Sequence, residues 1–318
     1  DTRDKETSQQ EGLSLLELVT SKLDHSAIQN MQEESPQRFT SVINFSNFLL
    51  HVLRVCTGED VSLDDKRLIQ QFEEHLEEAE DKVQFVKDFV YDLLYIRYLF
   101  DNYIIKREYK GEGDQWSLKG LKCYSRYSKN YVNYVNSFDD DGAQNLNREI
   151  LMLQSMFHVS APTLVYKHWL SASLQFLYND EDAENEDYGN RFYKYLLNLG
   201  EAYLYDRYLA KADSQVDFYD IIFKNQGCSV NKLKNEHQDW SLLNAGTSVE
   251  NFIFNYLDFK LWKSGMKGGD QFEFSFRSSV EHYYPQNPIA KDVALPQNVV
   301  DQFGNLCLIS RSKNSKLS

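Results

Sequence analysis

Helical periodicity with almost no interruption is the feature that most limits what this chain can fold into. Apolar rings and side chains recur at helical spacing, for example at Phe85, Phe89 and Leu93 and again at Phe192 and Leu196. The whole chain has only five prolines, so little breaks these stripes. Stripes of this kind are more often helix-packing surfaces than cofactor sites. We therefore predict a mainly α fold, with a multi-helix domain over residues 1–265.

Nine segments of this domain are predicted to be helices: Leu13–Met31, Arg38–Cys56, Asp64–Ala79, Lys82–Lys106, Gln144–Phe157, Ala161–Tyr178, Arg191–Ala210, Asp217–Lys224 and Ser248–Trp262. Three polar segments interrupt them, at Glu108–Trp116, Phe138–Gly142 and Asn179–Asp187. With 318 residues, 42% of them hydrophobic, the chain has enough material for about two domains.

The last forty residues contain polar side chains suited to cutting a phosphodiester. That reaction needs a base, a cation to offset charge, and groups that hold both in line. His282 can be the base, because histidine has an ordinary pKa near 6.5 and keeps a neutral fraction at pH 7. Glu281 and the side-chain carbonyl of Asn314 are hard oxygen ligands that suit a magnesium-like ion. Asn305 is expected to hold the histidine ring or its backbone, although a plain Gly-Asn turn accounts for this residue equally well.

The pattern around these residues predicts a small scaffold. Apolar residues alternate from Gln271 to Tyr284, which predicts a strand that ends near Glu281 and His282. Successive strand side chains face opposite ways, so a bend or bulge is needed for these two to share a site. A second strand is predicted at Leu306–Ile309. The start of a helix is predicted at Ser310–Ser318, with Ser312 as a candidate cap.

Three strings carry a family resemblance: Glu-His-Tyr-Tyr-Pro-Gln-Asn (281–287), Phe-Gly-Asn-Leu-Cys-Leu-Ile-Ser (303–310) and Lys-Asn-Ser-Lys-Leu-Ser (313–318). Together they resemble the C-terminal nuclease domain of the GmrSD-type modification-dependent restriction endonucleases. That domain is an HNH, or His-Me finger, unit of ββα form. The resemblance covers residues 266–318 with specific motifs and implies a nuclease core there, which we expect to be truncated in its C-terminal helix.

The resemblance also implies roles for single residues. His282 would be the general base, Glu281 and Asn314 would lie at a Mg²⁺ or Mn²⁺ ion, and Asn305 matches the middle asparagine of the family. Tyr283 departs from the family, which usually has an aliphatic residue there. Asn314 replaces a histidine, a variant also found among HNH nucleases.

The implied function is a metal-dependent DNA endonuclease, the effector of a restriction or phage-defence protein. Its expected partners are DNA, which carries modifications in this family, and a nucleotide-binding sensor domain, either N-terminal or on a separate chain. The sensor's Asp-Gly-Gln-Gln-Arg string does not occur in this sequence. A second copy of the chain is a further candidate partner. The alternative is a non-catalytic helical adaptor that keeps a nuclease-like finger for folding or interaction.

Charge is distributed unevenly along the chain. The formal net charge is −14, whereas proteins that bind DNA on their own usually have a basic surface. Residues 260–318 hold eight Lys or Arg and five Asp or Glu, so this part is +3 and the remainder is −17. Arg311, Lys313 and Lys316 lie beside the proposed metal ligand and are candidate phosphate-binding residues.

Cysteine use and hydropathy indicate the compartment. The four cysteines are far apart and form no Cys-x-x-Cys pair, which argues against a zinc knuckle or a disulfide framework. No apolar run of about eighteen residues occurs. We therefore expect a cytoplasmic protein without a membrane partner, and the family resemblance implies a bacterium or archaeon as its source.

Overall fold

The computed structural model describes residues 38–109, 111, 113–126, 129–138, 145–180, 187–265, 267–287 and 295–310. The predicted helices at Leu13–Met31 and Ser310–Ser318 therefore lie outside the described residues, wholly for the first and almost wholly for the second.

Helices dominate the described chain, as the periodicity predicts. They are α1 (Phe45–Thr57), α2 (Leu68–Glu78), α3 (Lys82–Tyr103), α4 (Leu146–Ser160), α5 (His168–Asn179), α6 (Tyr188–Ala202), α7 (Asn251–Lys263) and the single turn α8 (Gln297–Val300). Polar caps fix several of their ends. Asn44 accepts a hydrogen bond from the backbone N–H of Asn47 at the start of α1, and Gly58 ends that helix in a left-handed conformation with φ +68°.

The chain after α6 continues as π-helical turns at Tyr203–Tyr208, and a second π-helical turn lies at Asp220–Lys224. Asp206, on the first of these, is fully buried. Its carboxylate accepts hydrogen bonds from the Ser229 hydroxyl (2.8 Å) and from the backbone N–H groups of Val230 and Asn231 (2.9 Å each). Asp206 therefore fastens the beginning of the C-terminal part of the chain to the helical body.

Small antiparallel sheets lie among the helices. Strands β1 (Phe39–Ser41), β2 (Lys106–Tyr109) and β3 (Asp114–Ser117) form one sheet, and β4 (Lys119–Arg126) and β5 (Lys129–Asn136) form a second. A third sheet consists of β6 (Ser279–His282) and β7 (Leu306–Ile309). The prediction of a helix from Arg38 was wrong at its start, because Phe39–Ser41 pairs with β2 and the Asn44 cap delays the helix to Phe45.

One hydrophobic core joins the helices to the last sheet. Buried side chains of α4, α5, α6 and α7 belong to it, and so do Phe274, Val280, Leu306 and Leu308. The Phe254 and Phe303 rings, 5.0 Å apart, connect α7 to the chain just before β7. The β6–β7 hairpin is therefore held by packing against α7. Among the described residues, no helix is both long and apolar enough to cross a membrane.

Candidate functional site

The β6–β7 hairpin carries the predicted base. Its antiparallel register pairs Val280 with Leu308, Glu281 with Cys307 and His282 with Leu306. The prediction of a strand at Leu306–Ile309 is confirmed with its bounds. His282 is the last residue of β6, and the chain bends immediately after it.

The predicted first strand is shorter than expected. Only Ser279–His282 of the Gln271–Tyr284 range is a strand, because β7 offers a partner of only four residues. The preceding chain is fastened to β3 instead. The Trp116 backbone N–H donates to the carboxylate of Glu273 (2.7 Å), and the Trp116 indole N–H donates to the carbonyl of Phe274 (2.6 Å).

Glu281 and His282 lie on a regular stretch of ladder, so neighbouring side chains alternate between its two faces. The bulge expected between these residues is not present, because the register runs through both without a gap. Glu281 accepts a hydrogen bond from the Ser279 hydroxyl at 2.5 Å, on its own face of the strand. The hairpin alone therefore does not bring the side chains of Glu281 and His282 to one site, and groups outside the hairpin are needed to connect them.

His282 pairs with a carboxylate that the sequence analysis did not identify. Its Nε2 lies 2.8 Å from Oδ1 of Asp301, and the histidine side chain is only 10% exposed. The amide nitrogen of Gln286 is 3.5 Å from both atoms. The imidazole is thus oriented by a carboxylate that comes from the chain just before β7.

The position of Asp301 is fixed by a close backbone approach. Gly246 donates its N–H to the carbonyl of Asp301 at 3.2 Å. Gly246 has φ +58°, and a Cβ placed on it would lie 2.8 Å from Oδ1 of Asp301. Glycine is therefore required here both for its conformation and for the space that the carboxylate occupies.

Asn305 holds the backbone beyond His282. Its side-chain oxygen accepts from the N–H of Tyr284 (2.8 Å), and its side-chain nitrogen donates to the carbonyls of Tyr284 (3.1 Å) and Val300 (2.9 Å). Its own carbonyl accepts from the N–H of Tyr283 at 2.7 Å. The amide thus clamps the bend after β6 to the end of α8, and it contacts the backbone near His282 rather than the ring.

A sequence signal for Asp301 exists in the charge pattern. Asp301 is the only Asp or Glu after Asp292, in an otherwise basic and neutral tail. A lone carboxylate shortly before the Gly-Asn-Leu string was therefore a candidate partner for the histidine. The separation of nineteen residues between His282 and Asp301 hid the pair, because only the hairpin brings the two together.

The other predicted site residues lie beyond the described chain. Asn314, the second expected metal ligand, and the expected phosphate-binding residues Arg311, Lys313 and Lys316 belong to the last eight residues, outside the described part. Within the described ranges, no group of three or more His, Cys, Asp or Glu is arranged to hold a metal ion.

Comparison with known proteins found a family model that matches the C-terminal part of the chain. Residues 228–318 match the family model described as GmrSD restriction endonucleases, C-terminal domain. The match confirms the resemblance drawn from the motifs and extends it towards the N-terminus, as far as residue 228, so that Gly246 is included. This segment is therefore similar to the C-terminal domain of restriction endonucleases. Neither the curated proteins nor the solved structures gave a match.

Proposed function

We propose that this protein is a metal-dependent DNA endonuclease of HNH type, the effector part of a modification-dependent restriction or phage-defence system. The observation that carries the proposal is the pairing of His282 with Asp301 inside a segment similar to restriction endonucleases. In the proposed unit, β6 and β7 are the two strands of a ββα finger, and the predicted start of its helix, Ser310–Ser318, lies almost wholly outside the described residues.

His282 acts as the general base in this proposal. An ionised carboxylate only accepts hydrogen bonds, so Asp301 places the ring proton on Nε2 and leaves the lone pair on Nδ1. Nδ1 then takes a proton from the water that attacks phosphorus. The Asp301 contact also stabilises the imidazolium formed in that step, because the new positive charge lies 2.8 Å from a carboxylate oxygen.

Glu281 and Asn314 would hold the divalent ion. The donor set fits Mg²⁺ or Mn²⁺, because a carboxylate and an amide carbonyl are hard oxygen ligands and such ions keep several waters. When bound, the ion would offset negative charge on the phosphate and the leaving oxygen. Ser279 positions Glu281 through its hydroxyl, at 2.5 Å. Arg311, Lys313 and Lys316 would contact phosphates beside it.

Asn305 has a positioning role in this scheme. It fixes the backbone of Tyr283 and Tyr284, and so the direction in which the chain leaves His282. The bend it holds would limit rotation of the imidazole. The role fits the middle asparagine of the resembled family without requiring contact with substrate.

The test is nicking of supercoiled plasmid by the purified chain with Mg²⁺ or Mn²⁺, and with EDTA as the metal-free arm. We expect nicking that EDTA abolishes and that His282→Ala reduces by at least about a hundredfold, since general-base catalysis contributes roughly 10²–10⁴-fold.

His75→Ala is the matched control. His75 is also nearly buried, at 11% exposure, and lies 3.4 Å from the carboxylate of Glu59, but it is on α2, away from the hairpin. Equal loss in both variants, or full activity of His282→Ala, would remove His282 from the mechanism. No nicking by a correctly folded wild type would favour the helical adaptor instead.

A further inference from the structure

A cleft of about 710 Å³ lies beside the proposed nuclease site. Its walls come from three stretches of chain, within residues 160–168, 207–218 and 242–253. Ala245 and Ser248 belong to the third wall, and Gly246 between them donates its N–H to the carbonyl of Asp301. The turn that contains Gly246 therefore lies between the cleft and Asp301, the residue that pairs with His282.

Aromatic and imidazole rings line this cleft. The rings of His168 and Phe218 stack with centroids 4.4 Å apart and planes 8° apart, and the guanidinium of Arg207 lies 5.3 Å from the centre of the Phe218 ring. Burial, with Arg54 as the next cause, lowers the pKa of His168 to about 3, so this ring is neutral at pH 7. Tyr166 adds a further ring that is 64% exposed. The His168 and Phe218 rings stack on each other, so the exposed Tyr166 ring is the one that offers a face to a planar, neutral ligand ring.

The charged residues that line the cleft indicate which class of ligand it can bind. Arg207 and Glu250 are the charged residues among the lining residues. Arg207 pairs with Asp217 at 3.4 Å, but Asp217 is 84% exposed, so this surface pair is weak and a ligand phosphate can compete with Asp217 for the guanidinium. A single cationic side chain, Arg207, suits one phosphodiester group, because a triphosphate carries more negative charge than one guanidinium can offset. One carboxylate suits the exocyclic amino group of a base.

We propose that the cleft binds one unpaired nucleobase of a nucleic-acid strand, with preference for a base that carries an exocyclic amino group. The volume is within the roughly 300–1,000 Å³ usual for small-molecule sites. Aromatic side chains stack on any base, and Glu250 would accept a hydrogen bond from cytosine or adenine but receive none of this kind from thymine. The proposal rests on the nuclease function for its choice of nucleic acid, and it assigns the strand a path past Gly246 towards His282.

Binding can be measured without cleavage. Fluorescence anisotropy of labelled oligo(dC), oligo(dA) and oligo(dT) is recorded with the full chain in EDTA. We expect the dissociation constant for oligo(dC) to rise at least about fivefold in Tyr166→Ala, from loss of one stacking ring. Arg207→Gln should weaken all three oligonucleotides, and Glu250→Gln should reduce the preference for oligo(dC) over oligo(dT).

Two controls determine whether oligonucleotide binding depends on the cleft. Tyr98→Ala removes a ring of similar exposure, 56%, from α3, which does not line the cleft, and should bind as the wild type does. Tyr91→Ala, at a second exposed ring of α3 (58%) that does not line the cleft, should also bind as the wild type does. Absence of oligonucleotide binding, unchanged binding in both Tyr166→Ala and Arg207→Gln, or equal weakening by Tyr98→Ala would overturn the proposal. Binding that depends on the cleft in a protein that never nicks DNA would refute the nuclease function and leave the cleft assignment standing.

Discussion

Replacing Gly246 with alanine tests the contact that positions Asp301. The new Cβ would lie 2.8 Å from Oδ1 of Asp301 and 3.1 Å from its Cγ, so the carboxylate must move away from His282. The φ of +58° adds a cost of about 1–2 kcal/mol for any residue with a Cβ. Loss of the partly exposed His282–Asp301 pair adds about 1 kcal/mol. We expect the free energy of unfolding to fall by about 2–3 kcal/mol in total.

Gly58→Ala is the matched control for this substitution. Gly58 has φ +68°, close to that of Gly246, but a Cβ placed there meets nothing within 4 Å. It should therefore lose only the conformational part, about 1–2 kcal/mol. Chemical denaturation of both variants measures the difference, which isolates the displacement of Asp301.

Two further measurements examine the pair itself. The ¹⁵N shifts of the His282 ring should show Nε2 protonated in the wild type and a mixture of tautomers in Gly246→Ala, because the carboxylate that selects the tautomer has moved. If His282 is the base, as proposed, nicking should fall at least about tenfold, because the group that orients its ring has been displaced. Equal stability loss in the two glycine variants, together with unchanged ring shifts, would refute the reasoning.

Three other substitutions follow from the same structure. Asn305→Ala should cost about 2–3 kcal/mol of unfolding free energy and speed hydrogen exchange at Tyr284, because the clamp leaves backbone groups unpaired; unchanged exchange would argue against the clamp. Asp206→Ala should cost about 3 kcal/mol in urea denaturation, since three donors lose a buried carboxylate; a loss below about 1 kcal/mol would contradict this. For Glu108, burial opposes ionisation, but hydrogen bonds from Lys119 and then Arg38 lower its pKa below the usual 4.5. Ionised Glu108 therefore stabilises the fold above pH 4.5, and this stabilisation is lost as the pH falls through the lowered pKa. In Glu108→Gln the free energy of unfolding should therefore decline less steeply below pH 4.5.

Helices were predictable because their signal is local. A stripe at helical spacing and a cap such as Asn44 are both contained in a few neighbouring residues. The hairpin of β4 and β5 was missed for the opposite reason. Polar residues such as Lys122 and Asn133, which pair across it, break the alternation of apolar residues that would predict a strand. Strands of this kind depend on their partners, and those are not visible in a local pattern.

The same distinction between local and long-range signals applies to the candidate site. The order of His282, Asn305 and the second strand could be read from the motifs, because each motif combines residue type with short-range geometry. Both expectations for Asn305 hold: it ends a short 3₁₀ turn that leads into β7, and its side chain holds the backbone after β6. Asp301 could not be placed from its own surroundings, since its contact with His282 requires the hairpin register and the glycine at position 246 together.

The dependence of Asp301 on Gly246 connects the site to the rest of the molecule. Gly246 lies between two residues of the cleft wall, and its N–H and its missing Cβ both fix Asp301. A ligand that moves this turn must therefore move the carboxylate and alter the orientation of His282. Because any such coupling is reciprocal, displacement of Asp301 in Gly246→Ala should change oligonucleotide affinity as well as nicking. The proposed nuclease site and the cleft would then be coupled through a single glycine.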